Sequence, residues 1–284
     1  MVRCSIRGIF HEIFCFSVAA VFFAAPVVSS AGSLEALKSG STARFHYLTP
    51  QAVKTADAEV QAVSGYEQDA DSAVAAGSEQ DRLYYLAQDQ VELPGFPAPP
   101  EAGSAEDKAD MAAVLQWQKD RTSAQCEAAL AQAETSYDSF FAAVSPFPSP
   151  LPSSVYGFFK RAASDSEAAY RLLKKIHKRP RPAQQNNEVK PCLGKTGGYS
   201  YPSGHSAISH IMGLILSDLV PRESAKFMIY ADQAALNRVI GGVHFPSDIE
   251  AGKRLGDVMY KKFLQNPVFV SDMESAKKYL HQTN

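Results

Sequence analysis

Two histidines, one aspartate and three cations stand in three separated motifs of the chain, each with its own chemistry. The first is the basic run Lys174-Lys175-Ile176-His177-Lys178-Arg179-Pro180-Arg181-Pro182. Cations are favoured at a helix C-terminus by the helix dipole and short basic runs are ordinarily solvated, which is the plainer reading of this run. The prolines add a reason for more, because they restrict the backbone around Arg181 and leave its planar fork less freedom to lose on holding a phosphate. The second motif is Tyr201-Pro202-Ser203-Gly204-His205, ahead of an apolar run. Ser203 is a natural N-cap, and a helix start with exposed N–H groups and a glycine is an anion cradle, with His205 beside it. An ordinary cap with a surface histidine is the alternative. The third motif runs from Asn237-Arg238 through Gly241-Gly242 to His244 and Asp248. A carboxylate four residues on orients an imidazole and fixes its tautomer, leaving the second ring nitrogen as nucleophile or base, whereas a merely local contact would make His244 a packing residue. Together Lys174, Arg181 and Arg238, the Ser203-Gly204 cradle, His205, His244 and Asp248 supply what phosphoryl transfer without a metal requires. A zinc site on His205, His210, His244 and Asp248 is the rival. Three nearby cations would repel the ion, and residues 205 and 210 lie about 140° apart around a helix.

Helices must carry these motifs, because period-two strand patterns are scarce. Ser104 with Asp107 marks one start, and Met111, Val114 and Leu115 give that helix an apolar face. Thr122 with Gln125 opens a second, predicted to carry Leu130, Tyr137, Phe140, Phe141 and Val144 before the prolines at 146, 148, 150 and 152. A third begins near Ser154 and faces the core with Val155, Phe158, Phe159, Ala162, Leu172, Leu173 and Ile176. Residues 205–219 form an apolar helix too short to span a bilayer. Two more follow at about 222–240 and 248–264, the latter capped by Ser247 with Glu250. The expected architecture is an all-α bundle with its chemistry in loops and at helix ends.

The chain has 284 residues, 45% hydrophobic and 20% charged, enough to bury a core and too apolar for disorder. Its formal charge of -2 offers no global field for nucleic acid or an anionic membrane, so phosphate affinity has to be local. Arg3 and Arg7 followed by the apolar run 13–28 and small residues at 29–31 read as a signal peptide over residues 1–31 in preference to a retained anchor. Export to the periplasm or beyond is the expectation, with no membrane span after cleavage. Residues 32–92 read as a loosely packed arm and 93–284 as the helical domain. An arm of this kind can pack on a second copy, which leaves a homo-oligomer open. Cys4 and Cys15 leave with the signal. Cys126 and Cys192 are then either a disulfide or two thiols.

Lys174 to Arg181-Pro182, Pro202-Ser203-Gly204-His205, and Arg238 to His244 and Asp248 resemble the K-x6-R-P, P-S-G-H and S-R-x5-H-x3-D motifs of the type 2 phosphatidic acid phosphatase superfamily. Within it the chain is most similar to the secreted class A bacterial non-specific acid phosphatases, over about two thirds of its length, with Asn237 where the family pattern has serine. The resemblance implies the all-α bundle that these phosphatases share with vanadium haloperoxidases. It also implies hydrolysis of small phosphomonoesters through a phosphohistidine, with no metal cofactor and vanadate as an inhibitor mimicking phosphate. By the same likeness His244 is the nucleophile, Asp248 orients it and His205 exchanges the proton with the leaving group. Lys174, Arg181, Arg238, Ser203 and Gly204 hold the phosphoryl oxygens. A vanadium haloperoxidase, a lipid phosphatase and a non-catalytic phosphate-binding protein are the competing readings.

Overall fold

The computed structural model describes residues 82–194 and 196–283. The signal-peptide reading, Cys4, Cys15 and most of the expected arm lie outside these residues. The described chain is all-α, with no strand among the described residues. Its α-helices are α1 (Gln88–Val91), α2 (Ala105–Asp120), α3 (Ser123–Ala131), α4 (Tyr137–Phe141), α5 (Ser153–His177), α6 (Pro182–Gln185), α7 (Gly204–Leu219), α8 (Ser224–Ile240), α9 (Pro246–Phe263) and α10 (Pro267–Thr283). None of them is long and apolar enough to cross a membrane.

The apolar run after Ser203 becomes α7, which lies at the centre and packs on α8, α9 and α5. Its Ala207, Ile208, Ile211, Met212, Ile215 and Leu216 enter one core with Phe158 and Phe159 of α5 and Phe263 of α9. Burying each such side chain stabilises the fold by ~1.5–3 kcal/mol, so this cluster sets the frame on which the helix ends are held. The crossing of α7 and α9 is close because position 252 is glycine. A Cβ there would stand 2.5 Å from the Ser203 carbonyl oxygen and 2.6 Å from the Ser206 Cβ. A smaller cluster of Val114, Val189, Ala235, Val239, Phe245 and Ile249 seats α2 against α8 and α9.

The structure revises several expectations. The second helix ends at Ala131, and a new one, α4, starts at Tyr137 because Ser136 and Ser139 cap it reciprocally. Leu130 consequently lies 52% exposed. Ile176, expected in the core, is 59% exposed, although Leu173 and Lys174 in the same stretch of α5 are buried. Helix α9 begins at Pro246, so the residue that accepts from the cap N–H is Asp248, through Phe245, and Ser247 turns to Asp110 instead. The segment after Asn266 forms a further helix, α10.

Residues 82–92, on the arm side of the expected boundary, lie against α5. Asp165 of α5, wholly buried, accepts the backbone N–H groups of Tyr84, Tyr85 and Leu86 at 2.7, 2.8 and 2.9 Å. The Tyr85 ring packs edge-on against Phe158, Phe263 and Phe269. Residues 82–92 thus pack as part of the helical body. A single distant carboxylate satisfies three of their backbone N–H groups.

Cys126 of α3 and Cys192, 66 residues away, form a disulfide with Cα atoms 5.9 Å apart. Loop closure over that separation corresponds to about 4 kcal/mol in the chain-entropy model. Reduction is therefore expected to lower the melting temperature by roughly 10 °C, read by calorimetry with and without reductant. An unchanged transition would mean that the bond adds no constraint on the unfolded chain.

Candidate functional site

Each motif residue sits at a helix end, and the three ends meet. Lys174 occupies the last turn of α5, and Arg181 precedes α6 as its N-cap. Ser203 caps α7, with Gly204 and His205 in the first turn. Arg238 lies in the last turn of α8, His244 in the turn that follows and Asp248 in the first turn of α9. That turn folds back on α8, since the N–H groups of Val243 and His244 both donate to the Arg238 carbonyl, at 3.1 and 3.3 Å. The start of α7 is tied to α9 by the Ser203 N–H, which donates to the Asp248 carbonyl at 3.0 Å. All eight residues are buried. Lys174 is the most exposed side chain among them at 6%.

His244 is held from both ring nitrogens. Its Nδ1 lies 3.2 Å from Asp248 Oδ2, and its Nε2 lies 3.2 Å from Arg181 Nη1. A guanidinium only donates, so Nε2 must present its lone pair and the proton must sit on Nδ1 toward Asp248. Burial pushes the His244 pKa down to about 4, Asp248 opposes that, and the charges of Arg181 and Lys174 add to it. The imidazole is therefore neutral, with a free-electron-pair nitrogen, at mildly acid pH. Burial tends to raise the Asp248 carboxyl, but its bond to His244 and the charges of His244 and Arg179 bring it below the usual range. It is the anion of the pair.

Arg181 Nε donates to the Gly197 carbonyl at 2.6 Å and Nη1 to the Val243 carbonyl at 3.1 Å, which aims the fork at the His244 ring. The Lys174 ammonium stands 5.6 Å over the Tyr170 ring. That ring fills the space beside Gly204, where a Cβ would meet it at 2.8 Å, so the glycine is required by the approach of α5 to α7. Over the opposite side runs the break between α3 and α4. Arg238 Nη2 donates to the Ala129 carbonyl. His205 Nε2 lies 3.1 and 2.9 Å from the carbonyls of Gln132 and Ala133. Two carbonyl acceptors keep a proton on that nitrogen. The 3.5 Å approach of Arg238 Nη1 to it is accordingly a contact between two donors, not a bond. Asn237 donates to Gln132 Oε1 at 2.7 Å and accepts from Gln233 at 2.8 Å, which pins this strap to α8.

The expected constellation is brought together, while the zinc alternative is not assembled. His210 bonds Asp257 on α9 at 2.9 Å, and among the described residues no cluster of three or more His, Cys, Asp and Glu is placed to hold a metal ion. Residues that sequence reasoning passed over also belong here. Arg179 was one cation among several in the basic run, yet it is buried against Asp248, Asp107 and Asp110. Asp107 and Asp110 share a helix face, but nothing in their spacing identifies a partner some seventy residues on. Gln132 and Ala133 carried no signal, because they act through carbonyls.

Residues 162–263, which contain all eight of these positions, match the model of the PAP2 superfamily. The matched residues span the helices that converge at His244. It is similar to the non-specific acid phosphatase of Salmonella typhi, 32% identical over 108 residues, which are 38% of this chain and 40% of that protein. The match thus spans less than half of the Salmonella relative's length. A longer one, to the non-specific acid phosphatase of Providencia stuartii, is 28% identical over 209 residues, 69% of this chain and 84% of that one. Among solved structures, a bacterial vanadium-dependent iodoperoxidase superposes with a TM-score of 0.45 at 18% identity, over 61% of this chain and 52% of that one.

Proposed function

We propose that this chain is an acid phosphatase that hydrolyses small phosphomonoesters through a phosphohistidine on His244, without a metal cofactor, after export to the periplasm or medium. The observation that carries the reading is the double hold on His244, with Asp248 at Nδ1 and Arg181 at Nε2. A residue that only bound phosphate would have no need of an imidazole whose lone pair is aimed by a buried carboxylate. In the first step the Nε2 lone pair attacks phosphorus and the P–O ester bond breaks. The leaving alkoxide takes a proton from His205. In the second step His205 accepts a proton from water as it attacks, the P–N bond breaks and His244 is regenerated. Lys174, Arg181, Arg238, Ser203 and the Gly204 N–H face the oxygens on which charge builds. The relatives' names support the same reading.

The test is hydrolysis of p-nitrophenyl phosphate in excess chelator across acid to neutral pH. Turnover is expected to survive the chelator and to be inhibited by vanadate, which adopts the bipyramidal shape of the transition state. The acid limb follows from the sign of the His244 shift. The nucleophile must be neutral, and its pKa lies near 4 rather than 6.5 because burial disfavours the cation. Activity is thus expected to hold down to about pH 4 and fall below it, with Asp248 still ionised over that range. Activity lost in chelator and restored by zinc would overturn the metal-free reading. Absence of turnover would overturn the phosphatase reading and direct the assay to halide oxidation with vanadate, then to phosphate binding.

A further inference from the structure

The cation that the phosphate site does not use is Arg179, two residues before Arg181 and on the far side of Asp248 from the His244 ring. Its fork is full. Nη1 donates to Asp248 Oδ1 at 2.8 Å and to Ser247 Oγ at 2.7 Å, while Nη2 donates to Asp107 at 3.0 Å and Asp110 at 2.8 Å. The guanidinium plane lies 4.1 Å over the Phe245 ring. Ser247 closes the circuit, since its hydroxyl donates to Asp110 Oδ2 and its N–H to Asp110 Oδ1. Asp248 thus divides its two oxygens. Oδ2 takes His244 and the Phe245 N–H, and Oδ1 takes Arg179. With both oxygens engaged the carboxylate has one orientation, and the imidazole it holds has one as well.

We infer that Arg179 is a positioning residue for the nucleophile: through Asp248 it sets the orientation and the proton affinity of His244, and through Asp107 and Asp110 it clamps α2 onto the start of α9. It makes no contact with the phosphoryl oxygens. This rests on the phosphatase reading only where turnover is the readout. The charged and titratable groups that bear on the His244–Asp248 pair are Lys174 on α5, Arg179 and Arg181 in the following segment, Asp107 and Asp110 on α2 and Tyr201 before α7. Removing one buried cation from that set while the anions remain lets the pair take up its proton at higher pH.

The experiment compares wild type, Arg179→Gln and Arg179→Lys in the full-length protein, by p-nitrophenyl phosphate kinetics against pH, vanadate inhibition, and titration of His244 followed by nitrogen-15 NMR. In Arg179→Gln, kcat is expected to fall ~10–100-fold, as loss of an outer partner of a positioned histidine does at metal centres. KM and vanadate inhibition should stay near wild type, and both the acid limb and the His244 titration should move to higher pH. Arg179→Lys keeps the charge and loses the fork, so its acid limb should stay near wild type while kcat still falls ~10-fold. A folded Arg179→Gln whose limb and His244 titration are unmoved overturns the proposal. If Arg179→Gln does not fold, Arg179→Lys decides, and a wild-type kcat there overturns it. If wild type itself turns over nothing, the phosphatase reading fails, while the NMR titration still settles the role of Arg179.

Discussion

Replacing His244 with alanine is expected to lower the turnover of p-nitrophenyl phosphate by a factor of at least ~10^4, the scale on which a nucleophile or its base contributes to two-step hydrolysis. The loss should appear without unfolding. Asp248 keeps the Phe245 N–H and Arg179 as partners, and Arg181 keeps the Gly197 and Val243 carbonyls, so removing the ring orphans neither charge. A phosphorylated protein trapped by rapid mixing should be present in wild type and absent in His244→Ala. His205→Ala supplies the contrast. An aryl leaving group hardly needs a proton, so this variant should lose less on p-nitrophenyl phosphate than on an alkyl phosphate. Equal losses in the two histidine variants on the aryl substrate would overturn the division of roles.

What was legible in the sequence was what is local. The spacing of Lys174 and Arg181, the Ser203 cap and the i, i+4 spacing of His244 and Asp248 are each short enough for backbone geometry to place, and each ends where a helix begins or stops. Their convergence was not written in any one of them. It comes from α7 lying between α5, α8 and α9, with Gly252 letting α9 reach the Ser203 backbone. What escaped was long-range or carried by the main chain. Arg179 looked like any solvated cation in a basic run because its carboxylates lie on α2. The strap at 132–133 was read as helix because its apolar residues keep a helical rhythm, whereas the Ser136 and Ser139 caps restart the chain there. Pro246 displaced the cap of α9, since proline is most at home in the first turn, and this put Asp248 where it serves cap and histidine together.

The strap bears on how substrate reaches the site. Ala129 accepts from Arg238, and Gln132 and Ala133 accept from His205, so backbone carbonyls engage the donors assigned to phosphate and leaving group. A phosphomonoester must take those donors over. The disulfide anchors α3 to the loop at Cys192, and the Asn237–Gln132 bond holds the strap where it leaves α3. Asn237, where the resembled motif has serine, makes that link through its side-chain amide.

Arg181→Ala is expected to produce the second large loss, ~100–1000-fold in kcat, as removal of one preorganised donor to a developing oxyanion typically does. Arg181 Nη1 stands 3.2 Å from the reacting nitrogen Nε2, so it serves twice. Before attack it fixes the lone pair in place. As the P–N bond forms, Nε2 no longer accepts, and the freed N–H is available to the equatorial oxygens. Vanadate inhibition should weaken by a similar factor, because the inhibitor presents those same oxygens. This separates Arg181 from Arg179, whose loss leaves vanadate binding unchanged. The acid limb should also rise, since the Arg181 charge is among the causes holding the His244 pKa down to about 4. Arg181→Lys is not expected to rescue turnover, because an ammonium cannot span Gly197, Val243 and His244 from one plane. Truncation leaves the buried Val243 carbonyl short of a donor at ~1–3 kcal/mol, so kinetics and melting must be measured on the same preparation. A folded Arg181→Ala enzyme with wild-type vanadate inhibition would remove Arg181 from the phosphate site.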